Sequence, residues 1–287
     1  MSEGSSLINF GDLSKPVTVL IEKVCDAVGI IYEPTRIKRK AKAEAAAAKV
    51  ATLNQIELTE LERRAMERLV HQEARKQANI EKITASAAAS LTEEAKVNDL
   101  EADWVAHFFK RCDTVSDEEM QSLWSRLLAG EATTPGTFSK RTVDFIGSID
   151  KKDAVLFTAF CQFVWTIGEP VPLIFQIEDP VFSAQGITFE SLKHLDAIGL
   201  ISLETVSGYA KKGFEKYAHA FYYGRPTTIE FSADEMNQLA IGHALLTSTG
   251  KELLSICGSA RNEDFYEAIV RKWSADGLIL SSVIAKH

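Results

Sequence analysis

Residues 116–131, Ser-Asp-Glu-Glu-Met-Gln-Ser-Leu-Trp-Ser-Arg-Leu-Leu-Ala-Gly-Glu, carry nearly every signal that starts and directs a helix. Ser116 is placed to accept from the amide of Glu119 while Glu119 reaches back, a reciprocal capping box, and Val115 is placed to pack on Met120 as a hydrophobic staple. Met120, Leu123, Trp124, Leu127 and Leu128 recur at helical spacing and form one apolar face. Ser122, Ser125 and Ala129 form a strip of small side chains along which a second helix can approach. Two faces are thereby committed to packing, and the segment reads as a structural hub.

Working outward, residues 99–112 place Trp104, Val105, Phe108 and Phe109 together, and only Asp113-Thr114 separates them from the hub. The spacing predicts a helical pair sharing one aromatic core. On the other side, Asp150 and Asp153 start a helix carrying Val155, Leu156, Phe160 and Val164, and Pro170-Val171-Pro172 ends the helical regime. Beyond it, Phe189, Leu192, Leu195 and Ile198 mark a helix stopped by Gly199, and Leu200-Ile201-Ser202-Leu203 reads as a strand. Ala220-Phe221-Tyr222-Tyr223 and Thr228-Ile229-Glu230-Phe231 flank Gly224-Arg225-Pro226 as a hairpin, and residues 245–254 read as strand end, cap and helix. Helix, strand, hairpin and helix in that order predict a mainly α chain whose C-terminal region is a winged-helix-like α+β domain.

Toward the N-terminus, Ser14-Lys15-Pro16 opens an amphipathic helix with Val17, Leu20, Ile21, Val24, Val28 and Ile31 on one face. Arg36, Lys38, Arg39, Lys40 and Lys42 follow with no acidic residue among them. Apolar burial and attraction to anionic headgroups add at such an element, so it is a candidate for a membrane surface. The same face serves equally for packing on a partner or on the chain itself. Residues 36–89 are rich in strong helix formers, with a second capping box at Thr59-Glu60-Leu61-Glu62. Their apolar positions are too sparse for a heptad seam, which predicts a helical arm that gains its core by oligomerising. The division expected is an amphipathic helix and arm over 1–90, a helical core over 91–169 and the winged-helix-like domain over 170–287.

The net charge of -8 argues against a general nucleic-acid binder. Cys25, Cys112, Cys161 and Cys257 are dispersed, without zinc-ligand spacing, as in a reduced cytoplasmic protein with no metal or other cofactor. The first fifteen residues lack the basic start and apolar core of a secretory signal, and no window has the roughly 20 apolar residues of a spanning helix. His71, His107, His194, His219, His243 and His287 accompany no nucleophile motif, and no catalytic residue is nominated. Asp103 and His107 stand one helical turn apart, the spacing of a surface hydrogen bond.

The run Glu118-Glu119-Met120-Gln121-Ser122-Leu123-Trp124-Ser125-Arg126-Leu127-Leu128-Ala129 resembles the helix shared by the abortive-infection alpha proteins and an allied bacterial family. The resemblance extends to the Ser14-Lys15-Pro16 helix, to Phe138-Ser139-Lys140-Arg141-Thr142 and to Leu195-Asp196-Ala197-Ile198-Gly199-Leu200-Ile201, and implies an anti-phage role without implying catalytic residues. The leading expectation is therefore a non-enzymatic bacterial defence or regulatory protein. It assembles as a homo-oligomer or on a protein partner through its helices and acts peripherally at the inner membrane. The competing expectation is a transcriptional or nucleic-acid-associated regulator working through the winged-helix-like region.

Overall fold

Helices α1 (Lys15–Val28), α2 (Glu60–Ala88), α3 (Ala102–Cys112), α4 (Glu118–Thr133) and α5 (Lys140–Ile146) build the first of two units, residues 1–147. The computed structural model describes residues 14–29 and 59–282. Helix α4 is the hub segment, and its cap lies one residue later than the pattern suggests. Asp117, not Ser116, is the N-cap, with its carboxylate accepting from the amides of Glu119 and Met120 at 3.1 Å each. A carboxylate answers both the unpaired amides and the positive end of the helix dipole, whereas the Ser116 hydroxyl turns to the Thr114 carbonyl.

Trp124, Leu127 and Leu128 are fully buried, the small residues Ser125 and Ala129 are buried beside them, and α2 packs along α4. A buried polar link fixes that pairing. Gln121 Nε2 donates to Asn79 Oδ1 of α2 at 3.1 Å and to the Val115 carbonyl at 2.8 Å, while Asn79 Nδ2 donates to the Asp113 carbonyl at 2.9 Å. The carbonyls of the α3–α4 turn thus find partners that the short connection cannot supply. In the aromatic core Trp104 stacks on Phe108, and Phe108 meets Trp124 edge-on, both at 5.2 Å between centroids.

Phe138 closes this unit. Its ring lies so close to Gly130 that a Cβ there would stand 2.7 Å from Cε2. Its carbonyl accepts from Trp104 Nε1 at 2.8 Å, and its amide donates to Glu131 Oε2 at 2.7 Å. Glu131, only 4% exposed, also takes the Gly136 amide on Oε1 at 2.7 Å. The Gly130-Glu131 pair therefore holds the loop after α4, one residue by absence of a side chain and the next by a buried carboxylate.

The second unit, residues 148–287, mixes helices and antiparallel strands: α6 (Lys151–Cys161), β1 (Val164–Ile167), β2 (Glu169–Pro172), α7 (Pro180–Ser183), α8 (Phe189–Ala197), β3 (Ile201–Leu203), β4 (Tyr209–Phe214), β5 (Tyr217–Tyr222), β6 (Arg225–Glu230), β7 (Asn237–Gly242), β8 (Ala244–Leu246), α9 (Ser248–Leu254), α10 (Glu263–Ala275) and β9 (Ile279–Ser282). A five-stranded sheet runs β2-β1-β5-β6-β9, and β3 with β8 and β4 with β7 form two further pairs. These pairings are nested: β5 with β6 innermost, β4 with β7 around them, β3 with β8 outermost.

Three expectations change. Val164 belongs to β1 and not to the preceding helix, because Val164-Trp165-Thr166-Ile167 is β-branched and aromatic and turns at Gly168, φ 72°. The hairpin turn is Tyr223-Gly224, both at positive φ, since Tyr222 pairs with Arg225. The units meet at 147/148 instead of at 90 and 169: α2 and α4 share one core, and β1 and β2 are strands of the C-terminal sheet. At Gly242, φ 88°, a Cβ would fall 2.1 Å from the Ile174 carbonyl oxygen, so only glycine lets the end of β7 bridge to the backbone at Ile174.

Glutamine in place of Glu131 offers one acceptor to two amides and turns its own NH2 toward the other. Glu131→Gln is expected to lower stability by about 2 kcal/mol, read as a shift in the urea midpoint. Glu94→Gln on the exposed surface should stay within about 0.5 kcal/mol.

Candidate functional site

Val17, Leu20, Ile21 and Val24, the face nominated for a membrane or partner, are buried in their own unit, where α1 packs on α3. Val28, half-buried, lines a shallow 310 Å³ hollow with Ile80 and Phe109. On the polar side Lys23 Nζ donates to the Leu100 carbonyl at 2.9 Å. The amphipathic pattern is thus used by the fold itself. Ile31 and the basic residues Arg36, Lys38, Arg39, Lys40 and Lys42 lie outside the described residues. Of the hub, Trp124, Leu127 and Leu128 are core, Met120 and Leu123 are half-buried, and Ser116 and Glu119 are exposed.

Two of the histidines, His107 and His194, are paired with carboxylates within the fold. His107 Nε2 lies 2.9 Å from Asp144 Oδ1, which Arg111 Nε also reaches at 2.7 Å, so its carboxylate partner comes from α5 and not from Asp103. His194 Nε2 lies 2.8 Å from Asp153 Oδ1, while Asp196 accepts from the Leu203 amide at 3.2 Å. Neither histidine is joined to a serine or cysteine nucleophile. Burial, reinforced by the neighbouring Cys257 thiol, pushes the Cys161 thiol far above its ordinary value, the reverse of what a nucleophile needs. Among the described residues no group of three His, Cys, Asp or Glu side chains is arranged to hold a metal ion, and no helix is long and apolar enough to cross a membrane.

The arrangement that stands apart is the outer face of the five-stranded sheet. On β5 the side chains alternate: Ala218, Ala220 and Tyr222 are buried, whereas Tyr217, His219 and Phe221 are exposed. The inner face is well covered, with Trp165 stacked on Tyr222 and on Tyr266 of α10 and meeting Trp273 edge-on. The outer face is not. Tyr217 is 56% exposed, Phe221 43%, Tyr223 42% and Ile279 64%. Strand register sets these residues in rows: Tyr217, Glu230 and Ile279; His219, Thr228 and Ser281; Thr166, Phe221 and Pro226.

At the Phe221 end the face runs into a 290 Å³ groove lined by Phe221, Tyr223, Val164, Leu254, Ser255 and Ser259. Tyr223 Oη and Ser259 Oγ lie 2.6 Å apart there. A larger hollow of 510 Å³ lies elsewhere in the unit, beside α10, between Phe175, Phe182, Phe265 and Ile269, where Lys272 covers the Phe175 ring at 4.6 Å. Sequence reading paired β5 and β6 but did not pick out the outer face. Its signal was present in the alternation Tyr217, His219, Phe221, whose exposed side depends on which face α10 covers.

A family model described as "Protein of unknown function (DUF2806)" matches residues 63–270, from the first half of α2 to α10. No curated protein and no solved structure matches the chain.

Two outcomes are expected. Because Leu20 is fully buried, Leu20→Glu should unfold or strongly destabilise the first unit, visible by circular dichroism in the absence of any lipid. Glu169 accepts from Lys251 Nζ at 2.6 Å and Lys211 Nζ at 3.2 Å, and these bonds, the first foremost, hold its carboxyl below the ordinary value of about 4.3. A depressed folded-state pKa gives stability that is present above the unfolded value and lost as pH falls through the folded one. The Tm difference between wild type and Glu169→Gln should therefore be small at neutral pH, the groups being half-exposed, and vanish on acidification below about pH 4.

Proposed function

We propose, for a chain that belongs to the DUF2806 family, that it is a non-enzymatic regulatory or defence protein working by macromolecular contact. The observation that carries this reading is where the exposed apolar side chains lie. Apart from Val155, Phe189, Val206 and Met236, those among the described residues lie on the first half of α2, with Leu61, Met66, Leu69 and Val70, and on the outer face of the sheet. Such surfaces mark interaction sites, whereas His107, His194 and His243 are bonded within the fold and the Cys112 and Cys161 thiols are buried. Met66, Leu69 and Val70 prolong along α2 the face that Ile80, Ile83 and Ala87 bury further on, which supports assembly through this helix. The anti-phage setting rests on the resemblance of the α4 run. Action at the membrane loses support from the α1 face, whose apolar side chains are already buried.

The runner-up is the winged-helix regulator. In its favour, α6, α7 and α8 precede the β3–β8 pair, and the nested hairpins between them occupy the place of a wing. Against DNA reading, α8 presents Lys193 bound to Asp196 and His194 bound to Asp153, with no arginine. A protein contact suits the same scaffold better.

Light scattering on the full chain should give a mass above that of one protomer, and the double variant Leu69→Glu, Val70→Glu should lower it without changing the helical signal. A monomeric wild type sinks assembly through α2. Binding of a 20-base-pair duplex that weakens steeply between about 50 and 200 mM salt would favour the regulator instead.

A further inference from the structure

The outer sheet face is aromatic along β5 and carries one carboxylate, Glu230, set between Tyr217 and Ile279. Glu230 forms no ion pair among the described residues. Of the basic side chains of this unit, Lys211 and Lys251 are engaged with Glu169, Arg225 with Glu263 and over the Tyr266 ring, and Lys272 with Asp276, while Lys216 bonds Asp234 and also lies within electrostatic reach of Glu230 and Tyr217. A half-buried carboxylate beside an exposed phenol ring presents the two features that attract a cation: an opposite charge and the negative face of a π-system. Residues 148–287 hold 12 Lys and Arg against 17 Asp and Glu, so the wider field has the same sign. That field repels a phosphate backbone, and the exposed rings of a nucleic-acid stacking platform are here without the basic groove that accompanies them.

We propose that this face binds a protein partner through an extended segment that carries a lysine or arginine, seated over Tyr217 against Glu230, and a bulky apolar side chain that enters the groove at Phe221 and Tyr223. The inference rests on the binding-protein reading above and names the chemistry of its partner. The spacing follows from the strand itself. Tyr217 and Phe221 are four residues apart on β5, or roughly 13 Å at the rise of an extended chain. A partner segment lying extended along the same direction places its basic and apolar residues about four positions apart. The aliphatic stem of the basic residue covers Ile279 and the ring of Tyr217, and only its charged end meets the carboxylate. The 290 Å³ groove, walled by Val164 and Leu254, has room for one leucine- or phenylalanine-sized side chain.

The test is a randomised dodecapeptide display library panned against the immobilised full chain, with Tyr217→Ala, Phe221→Ala and Glu230→Gln chains as counter-targets. Equal Tm values for these exposed-site variants establish that they fold. The expected result is enrichment of peptides with Lys or Arg about four positions from a bulky apolar residue. A synthetic peptide of that sequence should bind about five- to tenfold more weakly to Glu230→Gln and to Tyr217→Ala, and more weakly still as salt is raised. Enriched peptides that are neutral or acidic, yet lost on Phe221→Ala, overturn this inference and leave the binding-protein reading standing. No enrichment above the variants overturns both. Binding of labelled dT15 that strengthens in Glu230→Gln identifies the face as a single-strand platform and overturns the cationic-peptide assignment.

Discussion

The placement of Phe138 is the constraint on which the first unit depends. Three independent groups fix it: the missing side chain of Gly130, the carboxylate of Glu131 and the indole N–H of Trp104. Trp104 and Glu131 are buried and leave unpaired polar groups if changed, whereas any side chain at Gly130 collides with the Phe138 ring. Because Trp104 also stacks on Phe108, and Phe108 meets Trp124 edge-on, the loop, α3 and α4 are held in one arrangement. Polar groups in a dry core specify geometry when all are satisfied, and here the specification runs through a loop that would otherwise have several ways to pack. The Asn79–Gln121 link ties α2 to the turn between α3 and α4 through backbone carbonyls and not by side-chain shape alone, although Gln121 Oε1 itself has no hydrogen-bond partner among the described residues.

Much of the helical half was legible in the sequence. Helical spacing gave the aromatic core, and the capping box at Thr59 is present as read, with Thr59 and Glu62 bonded reciprocally. The cap of α4 moved by one residue because Ser116 and Asp117 are both competent caps, and the choice between them is made by how the turn closes. The apolar face of α1 was legible as a face. What covers it was not, since periodicity reports which side avoids water and says nothing about the neighbour.

The C-terminal half was less legible for a different reason. Its strands are short, and strands such as β4, β7 and β9 carry mixed or polar sequences whose pairing depends on partners far along the chain. The exposed aromatic face shows the limit well. Tyr217, His219 and Phe221 alternate with Ala218, Ala220 and Tyr222, and either set has an apolar claim on the core. Packing of Trp165, Tyr266 and Trp273 decides the matter, and those residues come from β1 and α10, on opposite sides of the hairpin in sequence.

The nesting of the strand pairs has a kinetic meaning. The innermost hairpin closes over the two-residue turn Tyr223-Gly224, the least costly loop the chain can make. Once β5 and β6 are zipped, the gap that β4 and β7 must span is short. Once those are joined, β3 and β8 meet across a few residues of effective loop instead of some forty in the open chain. Contacts that look long-range on the sequence can therefore form as a succession of local ones. Tyr223, a non-glycine residue at φ 47° anchored to Ser259, stands at the point from which that succession starts.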